Sequence, residues 1–219
     1  MSNRIILFGA GGHAKTVIDT IEKQGIYEII GLLDGGKPAG EIVFGYEVLG
    51  DESWLEDRAN RADGAIVAIG DNWKRGLVAQ TIRRIRPGLP FVTAIHPSAV
   101  IARGARIGAG SVVMAGSVIS CDVEIGDHTV LYPLASVDHD SKIGSFVSFA
   151  PKGTTGGNVT IGEYTAVAIG ATIIHGVTIG EHSVIGAGST LIRDIGSHTV
   201  AFGTPARPIR SRLSGERYL

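Results

Sequence analysis

From Ile101 onward an apolar residue returns every sixth position: Ile101, Ile107, Val113, Ile119, Ile125, Leu131, Val137, Ile143 and Phe149, then Ile161, Val167, Ile173, Ile179, Ile185 and Leu191. Thr155 is the single exception, and no insertion breaks the phase. Glycine often follows directly, as at Gly108, Gly126, Gly144, Gly162 and Gly180, and small residues recur two places earlier, as at Ala105, Ser111, Ala135 and Ser183. This period is neither that of an α-helix nor the alternation of a simple strand. It is the period of a hexapeptide β-helix, in which three short strands and three corners close a coil of about 18 residues. The apolar residues point inward, and residues one coil apart stack at about 4.8 Å. The register is expected to stop after Leu191, with a turn-rich exit through Gly203–Ile209 and a short helix over Ile209–Leu213.

Before residue 96 the pattern is different. Arg4–Phe8 reads as a strand, Lys15–Lys23 as an amphipathic helix and Ile29–Leu33 as a second strand. Gly64–Ile69 reads as a third strand, Trp73–Ile85 as a helix and Phe91–Ile95 as a last strand. Strand and helix alternating over short connections predict a small, Rossmann-like parallel α/β sheet. The expected division is 1–96 for this domain, 97–202 for the β-helix and 203–219 for a tail.

Composition narrows the function. Glycine is abundant, 32 of 219 residues, without a collagen period, so tight turns and close backbone approaches explain it. Twenty basic and 21 acidic residues give a net charge of −1, with no basic stripe to suit nucleic acid. Cys121 is the only cysteine, which excludes an intramolecular disulfide and argues against a cysteine-based metal site. No apolar run is long enough for a transmembrane helix, and the start lacks a signal-peptide pattern, so a cytoplasmic protein with no membrane insertion is expected.

Two segments carry candidate chemistry. The turn Gly9-Ala10-Gly11-Gly12-His13-Ala14, between a strand and a helix, suits the approach of phosphate to backbone N–H groups at a helix N-terminus. Asp34 ends the second strand, where an acid binds ribose in dinucleotide enzymes. The domain is short for a full dinucleotide fold, so a single nucleotide diphosphate is the more economical ligand; a merely structural glycine turn is the alternative. His139 stands two residues past the inward Val137, near a corner, flanked by Asp138 and Asp140. Its ordinary pKa suits a general base near neutral pH, and a carboxylate would orient it; the alternative is a solvated corner histidine. His96 is expected to be structural, and His128 and His182 to share a column on a solvated corner. His198 has no motif around it. His175 falls two coils beyond His139, with Gly157 between them.

The motifs Phe8–Lys15, Ala68–Asn72, Ile95–Ala99, Val137–Asp140 and Gly203–Ala206 together resemble, in order, those of one family. It is the sugar O- or N-acetyltransferase family with a left-handed β-helix, which includes sialic acid O-acetyltransferases and bacterial nucleotide-amino-sugar N-acetyltransferases. The resemblance implies a homotrimer with acetyl-CoA between adjacent β-helices and a nucleotide-linked amino-sugar on the N-terminal domain. It implies His139 and Asp140 as catalytic residues, and Gly11, Gly12, His13, Asp34, Gly35 and Gly70 against the nucleotide-sugar. Ser148, Gly157, Ile169 and Ala187 would line the acetyl-CoA groove. Related enzymes often carry a second histidine at the position of Ser148, and commonly proline at that of His175. N-acetylation of a nucleotide-linked amino-sugar is the leading expectation, with no metal. O-acetylation of a sugar and a non-catalytic nucleotide-sugar scaffold are the alternatives. A zinc hydro-lyase of the γ-carbonic-anhydrase type lacks an obvious third histidine.

Overall fold

Side-chain alternation along β1 (Asn3–Phe8) divides the N-terminal core in two: Ile5 and Leu7 point to one side of the sheet, Ile6 and Phe8 to the other, and all four are buried. A computed structural model describes residues 3–57 and 61–217. In it β1 lies parallel to β2 (Tyr27–Leu33) and to β5 (Gly64–Val67). The sheet continues beyond β2 into a hairpin of β3 (Ile42–Val43) and β4 (Tyr46–Gly50), which the sequence pattern did not foretell because its strands are short and separated by one tight turn. Helix α1 (Gly12–Gln24) covers the side of Ile5 and Leu7, and α2 (Asn72–Ile85) covers the side of Ile6 and Phe8. Gly9 must be glycine: at φ +110° a Cβ would stand 2.8 Å from the Ala68 carbonyl oxygen. That contact sets the glycine turn beside the end of β5.

The C-terminal part is a three-faced parallel β-helix of two-residue strands. Face one runs from Val100–Ile101 to Thr190–Leu191, face two from Arg106–Ile107 to Thr178–Ile179, and face three from Ala94–Ile95 through Val112–Val113, Val130–Leu131, Ser148–Phe149 and Ala166–Val167 to Val184–Ile185. Partners are 18 residues apart, as Ile125 with Ile143. The second residue of each pair fills a continuous interior from Val113 to Leu191.

Two expectations at the ends are corrected. Phe91–Ile95 is not one strand: Phe91 bridges Ala65 of the α/β sheet, while Ala94–Ile95 pairs with Val112–Val113, so the coil begins before residue 96. Residues 209–213 form no helix. Ala206–Ser211 is a strand antiparallel to Thr199–Gly203, which itself pairs with Val184–Ile185. The six-residue register stops after Leu191, and the coil goes on at a shorter spacing, with Ile195 bridging Ile179 and Ala201 pairing with Ile185. The last coil is shortened by two residues, which hides it from a strict six-residue period.

The two parts share a junction on face three. Val112 and Val130 point out of the coil yet are fully buried in the α1 core. On the other side Arg75 of α2, also fully buried, donates from Nε to the His128 carbonyl (2.8 Å) and from Nη1 to the carbonyls of Ile69 (2.9 Å) and Gly70 (3.1 Å). Its Nη2 donates to Asn72 Oδ1 (2.7 Å) and to the Phe146 carbonyl (3.1 Å). Asn72 Nδ2 adds a bond to the Thr165 carbonyl at 3.1 Å.

The corner between faces two and three carries a ladder of stacked rings: His128, Phe146, Tyr164, His182 and His198. Trp73 of α2 packs on Tyr164 and His182. The expected solvated corner is therefore wrong for His128, which is 1 % exposed, lies edge-on to Phe91 and has no hydrogen-bond partner on either ring nitrogen among the described residues. Burial first, then Arg75 and Arg83, push its pKa down to about 3. The unfolded chain takes up a proton near pH 6.5 that the folded chain refuses, so this residue withdraws stability as pH falls from about 6.5 toward 3. His128→Phe keeps the stack and removes that difference. Urea denaturation at pH 7.5 and pH 5 should show the variant losing less stability than the parent, by on the order of 2 kcal/mol.

Candidate active site

His139 sits at the corner between Ser136–Val137 of face one and Lys142–Ile143 of face two. Its side chain is half exposed, and Nδ1–H donates to Asp140 Oδ2 at 2.8 Å. Its backbone N–H donates to Asp138 Oδ1 at 2.8 Å. The hydrogen bond to Asp140 is the main cause of a raised His139 pKa, with the Asp138 charge next. This geometry leaves Nε2 as the nitrogen not bonded to Asp140, beyond hydrogen-bond reach of Asp138 Oδ2 at 4.0 Å. Thr155, the single interruption in the apolar series, belongs to this corner: its Oγ1 accepts from the Asp138 N–H at 3.2 Å. Gly157, expected by resemblance to line the acetyl-CoA groove, lies against the His139 ring, where a Cβ would stand 2.5 Å from Nε2 and Cε1. Only glycine there lets the imidazole lie flat. His175 is exposed one coil further on.

A separate groove of about 430 Å³ opens below Gly70, lined among others by Tyr132, Ser148, Ile169, Ala187 and Phe202. Three residues assigned to the donor, Ser148, Ile169 and Ala187, thus meet here, together with Gly70 from the acceptor set. Ser148 is 6 % exposed and its hydroxyl donates to Asn72 Oδ1 at 2.6 Å, so its proton is already committed. The groove follows face three and its corner with face one, whereas His139 occupies the opposite edge of face one.

The residues expected to meet the nucleotide-sugar cluster around the glycine turn. Asp34 holds that turn from within: Oδ2 accepts from the Ala10 N–H at 2.7 Å and Oδ1 from the Gly36 N–H at 2.8 Å. Gly35 beside it is exposed. Gly11 and Gly12, at the start of α1, open into a recess of about 350 Å³ lined also by Lys15 and Lys37. Lys37 pairs with Glu41 across it. His13 turns inward, with Nδ1 3.0 Å from the Tyr132 hydroxyl and Nε2 buried without a partner among the described residues. Burial, then Arg75, lowers its pKa to about 3, so it is neutral at physiological pH. Sequence reasoning missed Tyr132, Lys15, Lys37 and Phe202 as lining residues. Asn72 was legible only as the end of a motif, and its bonds to face three had no local signal. Among the described residues no cluster of three His, Cys, Asp or Glu side chains is placed to hold a metal ion, and no helix is long and apolar enough to cross a membrane.

A carboxylate-supported histidine on a hexapeptide β-helix, with an anion-suited glycine turn on an α/β domain, defines an acyltransferase of the hexapeptide class. Residues 4–82 match the PglD N-terminal domain family, and 158–193 match the bacterial transferase hexapeptide family (six repeats). A histidine variant of perosamine N-acetyltransferase from Caulobacter crescentus, solved with CoA and GDP-perosamine, superposes with a TM-score of 0.89. It is 34 % identical, over 94 % of this chain and 97 % of that one. The acetyltransferase domain of PglB from Neisseria gonorrhoeae, solved with acetyl coenzyme A, gives a TM-score of 0.87 at 29 % identity, over 95 % of this chain and 100 % of that one. An uncharacterised protein of Acanthamoeba polyphaga mimivirus is 31 % identical over 127 residues, 58 % of this chain; the match spans 24 % of the viral protein. The chain belongs to the sugar acetyltransferase family with a left-handed β-helix, as its motif order implied.

The Asp140 bond raises the His139 pKa because a nearby anion and a hydrogen bond to the ring both favour the protonated form. Asp140→Asn should therefore lower it. Proton NMR of the His139 ring should place the parent midpoint above 6.5 and the variant midpoint below the parent; an unmoved midpoint would show that Asp140 does not support the ring.

Proposed function

We propose that the chain transfers the acetyl group of acetyl-CoA to the amino group of a nucleotide-linked amino-sugar. The observation that carries this reading is His139, held through Nδ1 by Asp140, with Nε2 unbonded at an exposed corner and Asp138 Oδ2 4.0 Å from it. In this reading Nε2 takes a proton from the sugar amine as its nitrogen attacks the thioester carbonyl carbon. The carbon–sulfur bond then breaks, and the imidazolium returns a proton to the departing thiolate. Asp140 steadies the charge that His139 carries between those steps. Lys15, Lys37 and the backbone N–H groups of Gly11 and Gly12 suit the diphosphate of the acceptor. Asp34 acts by holding the turn that presents them. The relatives solved with CoA and GDP-perosamine, or with acetyl coenzyme A, support the same pair of substrates. Both substrates are products of the cytoplasm, which fits a cytoplasmic enzyme.

Transfer is tested by incubating the purified protein with acetyl-CoA and GDP-, UDP- or dTDP-linked amino-sugars while following release of free thiol. One nucleotide series should react. His139→Ala should reduce turnover by about 10²- to 10⁴-fold at saturating substrates, and near-parental turnover would remove the reading.

His139 and the groove stand at opposite edges of face one, so a second copy has to bring them together. The outward row of face one, Val100, Val118, Ser136, Thr154, Thr172 and Thr190, carries no charge, and Val100 is 56 % exposed. Face two presents Arg106, Glu124 and Lys142 instead. An uncharged face beside a charged one suits contact between copies. Sedimentation should give three times the 22.8 kDa chain mass; an active monomer would exclude a site shared between copies.

A further inference from the structure

The corner that carries His139 recurs in every coil, and the next two residues in its column are Gly157 and His175. A Cβ on Gly157 would stand 2.5 Å from His139 Nε2, so the ring occupies the place that a side chain at 157 would take. Nε2 is thereby carried one coil, about 4.8 Å, toward His175. The coil of His175 lies directly on that glycine. Gly176 N–H donates to the Gly157 carbonyl at 2.9 Å, and a Cβ on Gly156 would stand 3.3 Å from the Cβ of His175. His175 is exposed, and among the described residues no hydrogen bond or ion pair engages its ring. Two imidazoles of one copy therefore border the same gap, with one coil spacing between His139 Nε2 and the His175 corner.

Attack on a thioester needs more than a base. As the amine nitrogen bonds to the carbonyl carbon, the C=O π pair moves onto oxygen, and that oxygen calls for a hydrogen-bond donor. Ser148 of face three does not supply it, because its hydroxyl donates to Asn72 Oδ1 at 2.6 Å. Attacking nitrogen and carbonyl oxygen are bonded to one carbon. A base at the first and a donor at the second must then stand a few ångströms apart, which is the spacing of the coils.

We propose that His175 is a second catalytic residue, whose ring N–H donates to the thioester carbonyl oxygen while His139 Nε2 takes the proton of the amine. The oxygen returns its electron pair to carbon as the carbon–sulfur bond breaks, and His175 ends the step with its own proton unmoved. The proposal rests on the reading of His139 as the base.

Steady-state transfer by His175→Ala and His175→Gln, set beside the parent and His139→Ala, tests it. His175→Ala should lower kcat about 10²-fold. Its KM for acetyl-CoA should stay within about 3-fold of the parent, because the bond strengthens only as charge develops on oxygen. His175→Gln restores an N–H donor and should recover about 10-fold or more of that loss. Parental kcat in His175→Ala, a loss confined to KM, or a glutamine variant as slow as the alanine one would overturn the proposal. His139→Ala separates the two readings. If it is inactive while His175→Ala turns over normally, the second histidine falls and the base stands. If both variants keep parental turnover, the two readings fall together.

Discussion

One buried cation organises the molecule. Arg75 is fully enclosed between α2 and face three, and its guanidinium is satisfied by carbonyls from both domains. A buried charge is tolerated only where such acceptors are already in place, and here they are the corner carbonyls of a stacked coil. The tie permits one seating of the α/β domain. That seating brings Asn72 to Ser148, His13 to Tyr132 and Gly70 to the head of the groove. Its charge also helps keep His13 and His128 neutral. A junction made only of apolar contacts, such as Val112 and Val130 against α1, would allow sliding; the directional bonds of Arg75 do not.

The β-helix supplies a different kind of precision. Because each corner is stacked on the one 18 residues before, a side chain can be aimed by what the neighbouring coil lacks. The His139 ring lies flat because Gly157 has no side chain, and the Asp138–Asp140 corner is anchored where Thr155 replaces an apolar residue. The ring ladder from His128 to His198 uses the same repeat at another corner, where it forms the surface on which Trp73 packs. Thus one column carries His139, another the docking of the α/β domain, and a third, through Ile169 and Ala187, the groove below Gly70.

Much of this was legible in the sequence by itself. The six-residue period gave the β-helix, its phase and the corner position of His139, because contacts between successive coils follow from a constant spacing along the chain. The glycine turn and strand–helix alternation gave the α/β domain, because turns and amphipathic faces are local. The motif order gave the family. The period could not follow the last coil, shortened by two residues, or the antiparallel hairpin after it.

Only the tertiary structure decided what the two domains do to each other. His128 is buried because α2 and Phe91 close over a corner that the repeat alone leaves open to water. Both Asp34 oxygens are taken by backbone N–H groups, one of them 24 residues away. Ser148 has lost its free proton to Asn72, 76 residues earlier, and Tyr132 meets His13 across 119 residues. No local pattern records such pairs, since each depends on how the domains are seated. The physical reason is that propensity and periodicity act over a few residues or one coil, whereas burial and hydrogen-bond satisfaction are settled when distant surfaces exclude water together.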